Sequence, residues 1–219
     1  MKRIISGLLL LLSAMNGAYA ATLSGELKDS TGTPIVDAVI TAIPTQGGLP
    51  ALIPQQPKSL DQVNREFVSH VLVIRTGEAV IFPNNDKTKH HVYSFSPAHR
   101  FEIKLYSGVP SEPVIFNTPG VVVLGCNIHD WMVGYIVVTD SPYFAKTDAS
   151  GHWSIELPDN EYKLTLWHEN LDEADASVSK VIKVAEGNNV INDTVNLKLN
   201  RRSGKPPNTL QEQGYQSEP

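Results

Sequence analysis

A single cysteine constrains this chain more than any other feature. Cys126 is the only one among 219 residues, so no disulfide within the chain can staple a fold together. The segment around it, Gly125-Cys-Asn-Ile-His-Asp-Trp-Met132, places an imidazole three residues on and a thioether three beyond that. Residues 121–124 (Val-Val-Val-Leu) and 133–138 (Val-Gly-Tyr-Ile-Val-Val) flank it as short strand-like runs. Cys126, His129 and Met132 are therefore expected on one tight loop between two strands, turned inward towards one point. A regular strand would send neighbours to opposite faces.

A further donor must come from elsewhere in the chain. Phe82-Pro-Asn-Asn-Asp86 makes a polar turn before His90-His91, and residues 91–95 read as another strand. One thiolate, two imidazoles and a thioether are the ligands of a trigonal His2Cys copper centre with a weak axial Met, and such soft donors favour copper over calcium or magnesium. Thioether is also a poor zinc ligand. The residue types thus imply one copper ion, cycling between Cu(II) and Cu(I), held by His90, Cys126, His129 and Met132, with His91 as the alternative upstream ligand. The bland reading makes Cys126 a buried apolar thiol and Met132 core filling. It leaves the concurrence of the donors unexplained.

From about residue 61 to 140 the chain resembles the cupredoxins, small blue-copper β-barrels. It shares an early strand, a Gly turn, an Asn-rich loop reaching a His, and a late Cys-His-Met loop whose C-x2-H-x2-M spacing is similar to that of amicyanin. The surrounding chain is similar to bacterial methylamine-utilisation-like proteins. The resemblance places the upstream ligand on His90, the loop ligands on Cys126 and His129, and the axial ligand on Met132. Where the family commonly has Pro before the upstream His and Asn after it, this chain has Lys89 and His91. The function implied is one-electron transfer without an organic substrate or a catalytic acid or base, so a carrier rather than an enzyme, with copper binding or delivery as the alternative. His129, nearest the loop edge, is the expected electron exit. A periplasmic redox protein is expected to dock there on Asn127, Asp130 and Trp131, unless Trp131 is simply packed.

The chain begins with Met1-Lys-Arg3, an apolar run over residues 4–15 and an Ala18-Tyr-Ala20 cleavage signature, which together read as a signal peptide over residues 1–20. Export to the periplasm without stable membrane insertion is expected. Removing Lys2 and Arg3 takes the formal charge from −5 to −7, a balance that gives no reason to expect nucleic acid as partner. Ligation to a metal would also protect a lone thiol in an oxidising compartment.

Residues 21–46 carry two strand-like runs, 22–27 and 35–42, joined by Asp29-Ser-Thr-Gly32. Their Gly25-x-Leu27-x-Asp29 and Pro34-Ile35-x-x-Ala38-Val39 pattern resembles the opening hairpin of carboxypeptidase-regulatory or transthyretin-like sandwiches. Residues 47–60, rich in Gly, Pro and Gln, read as a linker. In the copper unit, 67–75 reads as one strand that Gly77 turns into an antiparallel neighbour at 79–82, and His99 reads as an exposed loop residue. In residues 141–199 the pattern T-D-x-x-G-x-W-x-I-x-L-P-x-x-x-Y-x-L, from Thr147 to Leu164, resembles later strands of the same regulatory module. Strand-like runs at 178–184 and 190–199 follow, His168 reads as a strand-end histidine, and residues 200–219 read as a disordered tail. Neither outer segment has strands enough for a core alone. The fold class expected is all-β: a cupredoxin Greek-key sandwich inserted between the second and third strands of a regulatory-like β-sandwich. Oligomeric state is not legible.

If the leader is removed as its signature implies, mass spectrometry of the exported protein should show a chain beginning at Ala21. A chain retaining Met1 would contradict export by cleavage.

Overall fold

The computed structural model describes residues 20–171 and 179–195. The expected signal peptide up to residue 19, the expected tail and parts of two expected strands (178 and 196–199) lie outside these residues. Eighteen strands are described, and no helix among the described residues is long and apolar enough to cross a membrane.

The protein is all-β, with a second β-unit built from both ends of the described chain around an inner one. Strands β1 (Ala20–Asp29) and β2 (Val39–Pro44) come from the N-terminal side. The inner unit follows: β3 (Lys58–Ser59), β4 (Asp61–Val63), β5 (Glu66–Val68), β6 (Val71–Arg75), β7 (Ala79–Ile81), β8 (His90–Ser96), β9 (His99–Tyr106), β10 (Val114–Ile115), β11 (Gly120–Cys126) and β12 (His129–Thr139). The chain then returns as β13 (Phe144–Lys146), β14 (His152–Pro158), β15 (Asn160–Trp167), β16 (Ser179–Val184), β17 (Asn188–Val190) and β18 (Asp193–Val195).

Strand pairing shows the insertion directly. β1 pairs with β14 on one edge and with β17 and β18 on the other, while β2 lies between β13 and β15, with β16 beyond. Apolar residues alternate along β1, β14 and β15, so Leu23, Trp153, Ile155, Leu157, Tyr162 and Leu164 meet in one core between these sheets. Close packing of β1 explains Gly25: a Cβ there would lie 1.7 Å from the Ile191 carbonyl oxygen.

The expected opening hairpin is corrected. β1 and β2 belong to different sheets, because the turn that joins them, capped by Asp29 Oδ1 accepting from the Thr31 and Thr33 amides, carries the chain across the sandwich. The expected run 190–199 is interrupted after β17, where the Ile191 amide donates to the Ser24 carbonyl and Asn192 Oδ1 accepts from the Glu26 amide.

In the inner unit a five-stranded sheet, β6-β12-β11-β8-β9, faces a three-stranded one, β10-β7-β3. Ile74, Val80, Phe82, Val92, Phe116, Val122, Leu124 and Ile136 fill the space between. The expected single strand over 67–75 is two strands, separated at Ser69 and His70. β6 and β7 are not antiparallel neighbours: β6 runs parallel to β12 while β7 joins β3 and β10. The tight turn at Gly77, with φ of 90°, crosses between layers rather than closing a hairpin. Lys58 and Ser59, expected in the linker, pair with β7, and Leu60 is fully buried in the inner core.

The two units meet on the outer face of β6 and β12. Val71, Val73, Val133, Tyr135 and Val137 pack against Val39, Phe144 and Trp167 of the outer sandwich. At the rim Lys146 Nζ donates to Ser69 Oγ and the Val71 carbonyl. His70 Nε2 lies 3.0 Å from Glu169 Oε1. His168, expected at an exposed strand end, is half-buried beside this pair, and burial lowers its pKa.

The His70–Glu169 pair gives the interface a pH dependence. The hydrogen bond to Glu169 raises the His70 pKa. Burial opposes ionisation of Glu169, but its bonds to His70 and Tyr135 leave its pKa lowered. The contribution of His70 is therefore complete below about pH 6.5 and is lost as pH rises through the raised value, while that of Glu169 is lost as pH falls through the lowered one. Glu169→Gln should cost on the order of 1 kcal/mol near pH 5.5 and less at pH 8, read from urea unfolding at both pH values. An equal cost at both would rule out the ion pair as its source.

Candidate metal centre

Strand alternation delivers the cysteine. On β11 the buried residues are Val122, Leu124 and Cys126, so the thiol points into the same core as the apolar residues before it. The expected loop is tighter than the sequence suggested. β11 runs through Cys126 and β12 starts at His129, leaving Asn127 and Ile128 as the turn. Beyond it Cys126 faces His129 and Gly125 faces Val133, so Asp130, Trp131 and Met132 have no partners on β11. This bulge breaks the two-residue alternation and lets Met132 enter the core while Asp130 stays exposed.

The upstream histidines are separated by the same alternation. His90, the first residue of β8, is fully buried. His91 lies on the opposite side, with Nε2 2.8 Å from Glu102 Oε1. One ligand atom each from His90, Cys126 and His129 lies within 4.8 Å of the others. His90 Nδ1 is 3.5 Å from Cys126 Sγ, and His129 Nδ1 is 3.7 Å from it. His91 is not part of this group. Met132 is 1% exposed and belongs to the same core cluster as Cys126.

The surroundings favour the ligating forms of Cys126 and His129. Burial alone would raise the Cys126 pKa, but hydrogen bonds from His90 and from the backbone amides of His91 and Ile128 leave it lowered. Burial lowers the His129 pKa, assisted by the positive charges of His90 and Arg65. For His90 the pull of burial is outweighed by Cys126 and Asp86, and its pKa is raised. A metal ion bound between His90 and Cys126 would have to displace any proton held in their contact. Two imidazole nitrogens and a thiolate fit a soft or borderline transition-metal ion, and the cluster can hold one.

His129 is half-buried beside exposed Asn127, Ile128 and Asp130. Trp131 is partly packed: its ring lies 5.2 Å from that of His129, and its indole donates to the Arg65 carbonyl at 3.2 Å. His99, expected to be exposed, stacks 4.8 Å from Phe116, and burial lowers its pKa. Sequence reading left Asp86 in a polar turn. Its Oδ2 lies 3.1 Å from His90 Nε2, and the available signal was a carboxylate one helical-turn spacing before a candidate ligand.

Neither the known family models nor the curated proteins match this chain. Among solved structures it is similar to a purple cupredoxin from Nitrosopumilus maritimus at 20% identity and a TM-score of 0.34, over 37% of this chain and 99% of that one. A copper-containing nitrite reductase from Thermus scotoductus matches at 27% identity and a TM-score of 0.36, over 44% of this chain and 25% of that one. A reduced Cu(I) form of an amicyanin variant matches at 17% and 0.34, over 45% and 97%. By its own sheets and donors, the protein has a cupredoxin-like all-β fold with a second β-unit. It carries a His/Cys/His cluster consistent with a redox or copper-binding role.

His90→Ala should abolish stoichiometric copper retention after gel filtration. His91→Ala should retain it and lose less than about 1 kcal/mol of stability, since Glu102 is largely exposed. Copper loss in the His91 variant alone would move the upstream ligand by one residue.

Proposed function

We propose that this protein is a periplasmic one-electron carrier with a type-1 mononuclear copper centre that His90, Cys126 and His129 would hold, with the Met132 thioether as a further, weak donor. The observation that carries the reading is the convergence of one ligand atom each from His90, Cys126 and His129 within 4.8 Å of one another, with both histidine Nδ1 atoms within 3.7 Å of Cys126 Sγ, at the end of a β-sandwich core. Bound copper would supply reversible Cu(II)/Cu(I) exchange. The chain supplies the rest. Cys126 brings the thiolate, 3% exposed and steadied by two backbone amides. His90 closes the buried side, and Met132 fills the core beside them with a polarizable sulfur. Ligands mounted on paired strands rearrange little when the metal changes charge, which favours rapid transfer.

His129 is the ligand edge nearest solvent and the proposed exit for the electron. Its neighbours Asn127, Asp130 and Trp131 form the proposed docking rim for a periplasmic redox protein, by a small transient contact. The signal-like N-terminus and the lone thiol support export.

Copper-loaded protein should bind one ion per chain, show intense visible thiolate-to-Cu(II) absorption and give a narrow hyperfine pattern in electron paramagnetic resonance. Cys126→Ser should remove the colour, whereas Met132→Leu should retain copper at an altered potential. Absence of the charge-transfer band from copper-loaded wild type would sink the type-1 assignment. Ready copper transfer to an apo acceptor, without useful electron exchange, would replace the carrier by a delivery protein.

A further inference from the structure

The buried end of the cluster has a second layer that the ligand motif does not reveal. His90 is fully buried, so each ring nitrogen needs a defined partner. Nδ1 faces Cys126 Sγ at 3.5 Å and Nε2 faces Asp86 Oδ2 at 3.1 Å. An ionised carboxylate only accepts hydrogen bonds. Asp86 already accepts at Oδ2 from the Arg65 amide at 2.6 Å and at Oδ1 from the Lys87 amide at 2.9 Å. The hydrogen between Asp86 and His90 must therefore belong to Nε2, which leaves the Nδ1 lone pair pointing towards the cysteine sulfur in the neutral imidazole.

The carboxylate is itself held from two directions. The Asp86 amide donates to Asn84 Oδ1 at 3.0 Å, and buried Asn84 uses its Nδ2 to bind the Thr88 and Tyr106 carbonyls, both at 2.9 Å. From the other side comes the tip of the β4–β5 hairpin, where Asn64 and Arg65 have φ of 54° and 61°. In this turn the Arg65 amide points at Asp86 while its carbonyl accepts from the Trp131 indole beside His129. One residue of a neighbouring hairpin thus ties together the surroundings of both histidines.

We propose that Asp86 is a positioning residue for the metal centre: it holds the Nε2 proton of His90, so that Nδ1 is presented to the ion, and sets a fixed negative charge behind that ligand. The proposal rests on the copper reading above. A charge placed there favours the more positive oxidation state, so it lowers the reduction potential as well as strengthening retention.

Two variants separate the hydrogen bond from the charge. Asp86→Asn keeps an acceptor for Nε2–H but removes the charge, and should retain copper with a reduction potential above that of wild type. Asp86→Ala removes both, and should weaken copper binding by about 10–100-fold. In metal-free protein carrying Cys126→Ser, at alkaline pH where His90 is neutral and no thiolate faces Nδ1, nitrogen-15 spectra should show the Nε2–H tautomer with Asp86 or Asp86→Asn in place, and a tautomer mixture with Asp86→Ala. An Asp86→Ala protein with wild-type tautomer and copper affinity would overturn the positioning role. An unchanged potential in Asp86→Asn would overturn the charge effect, and that reading survives even if the alanine variant fails to fold. Should wild type take up no copper, the copper reading fails, while the metal-free spectra still decide whether Asp86 sets the tautomer.

Discussion

Burial of β12 on both faces is the constraint from which the rest of the structure follows. Ile136 and Val138 face the inner core, whereas Val133, Tyr135 and Val137 face the outer sandwich. A strand covered on both sides reads as a continuous apolar run, which is why residues 133–138 carry no polar alternation. Gly134 is part of the same packing: a Cβ there would lie 3.0 Å from the Phe67 ring. Because β12 also begins with His129, its fixed placement between two cores anchors the exposed side of the His/Cys/His cluster.

The site is assembled from three local devices rather than from one motif. Alternation along β11 turns Cys126 inward, alternation along β8 selects His90 over His91, and the unpaired Asp130–Trp131–Met132 segment resets the phase of β12 so that Met132 is buried. Each is a backbone effect. The electrostatic consequence is a thiol with a lowered pKa beside one histidine with a raised and one with a lowered pKa. The 3.5 Å contact between Cys126 Sγ and His90 Nδ1 gives each of these buried groups a polar partner.

The outer sandwich adds area and polar rim contacts to a face that a solitary copper-binding sandwich would expose. Trp167 lies 5.3 Å from the Tyr135 ring, and Tyr135 in turn lies 5.3 Å from His70. These contacts join the last residues of β15 to the back of the sheet whose front holds the cluster. The outer unit is therefore packed against the scaffold of the site, at the opposite face from the His90–Cys126 contact.

The sequence by itself determined the all-β class and the insertion, and it singled out Cys126 and His129 as neighbours on one tight turn, because strand alternation, turn residues and the spacing of rare side chains are local properties. It also placed His90 ahead of His91, although only the observed phase of β8 separates them physically. What tertiary structure decided was everything that depends on partners distant in sequence. β6 and β7 part into different sheets although Gly77 looks like a hairpin turn. Lys58 and Ser59 become a strand only by pairing with β7, and His99 is covered only because Phe116 folds onto it. Asp86 reads as one polar residue in a turn until the Arg65 hairpin closes over it and aims its carboxylate at His90. Hydrogen bonds between segments some twenty residues apart leave no periodic trace in the chain, so residues 82–91 offer only the four-residue spacing of Asp86 and His90 and nothing of the Arg65 contact that fixes the carboxylate.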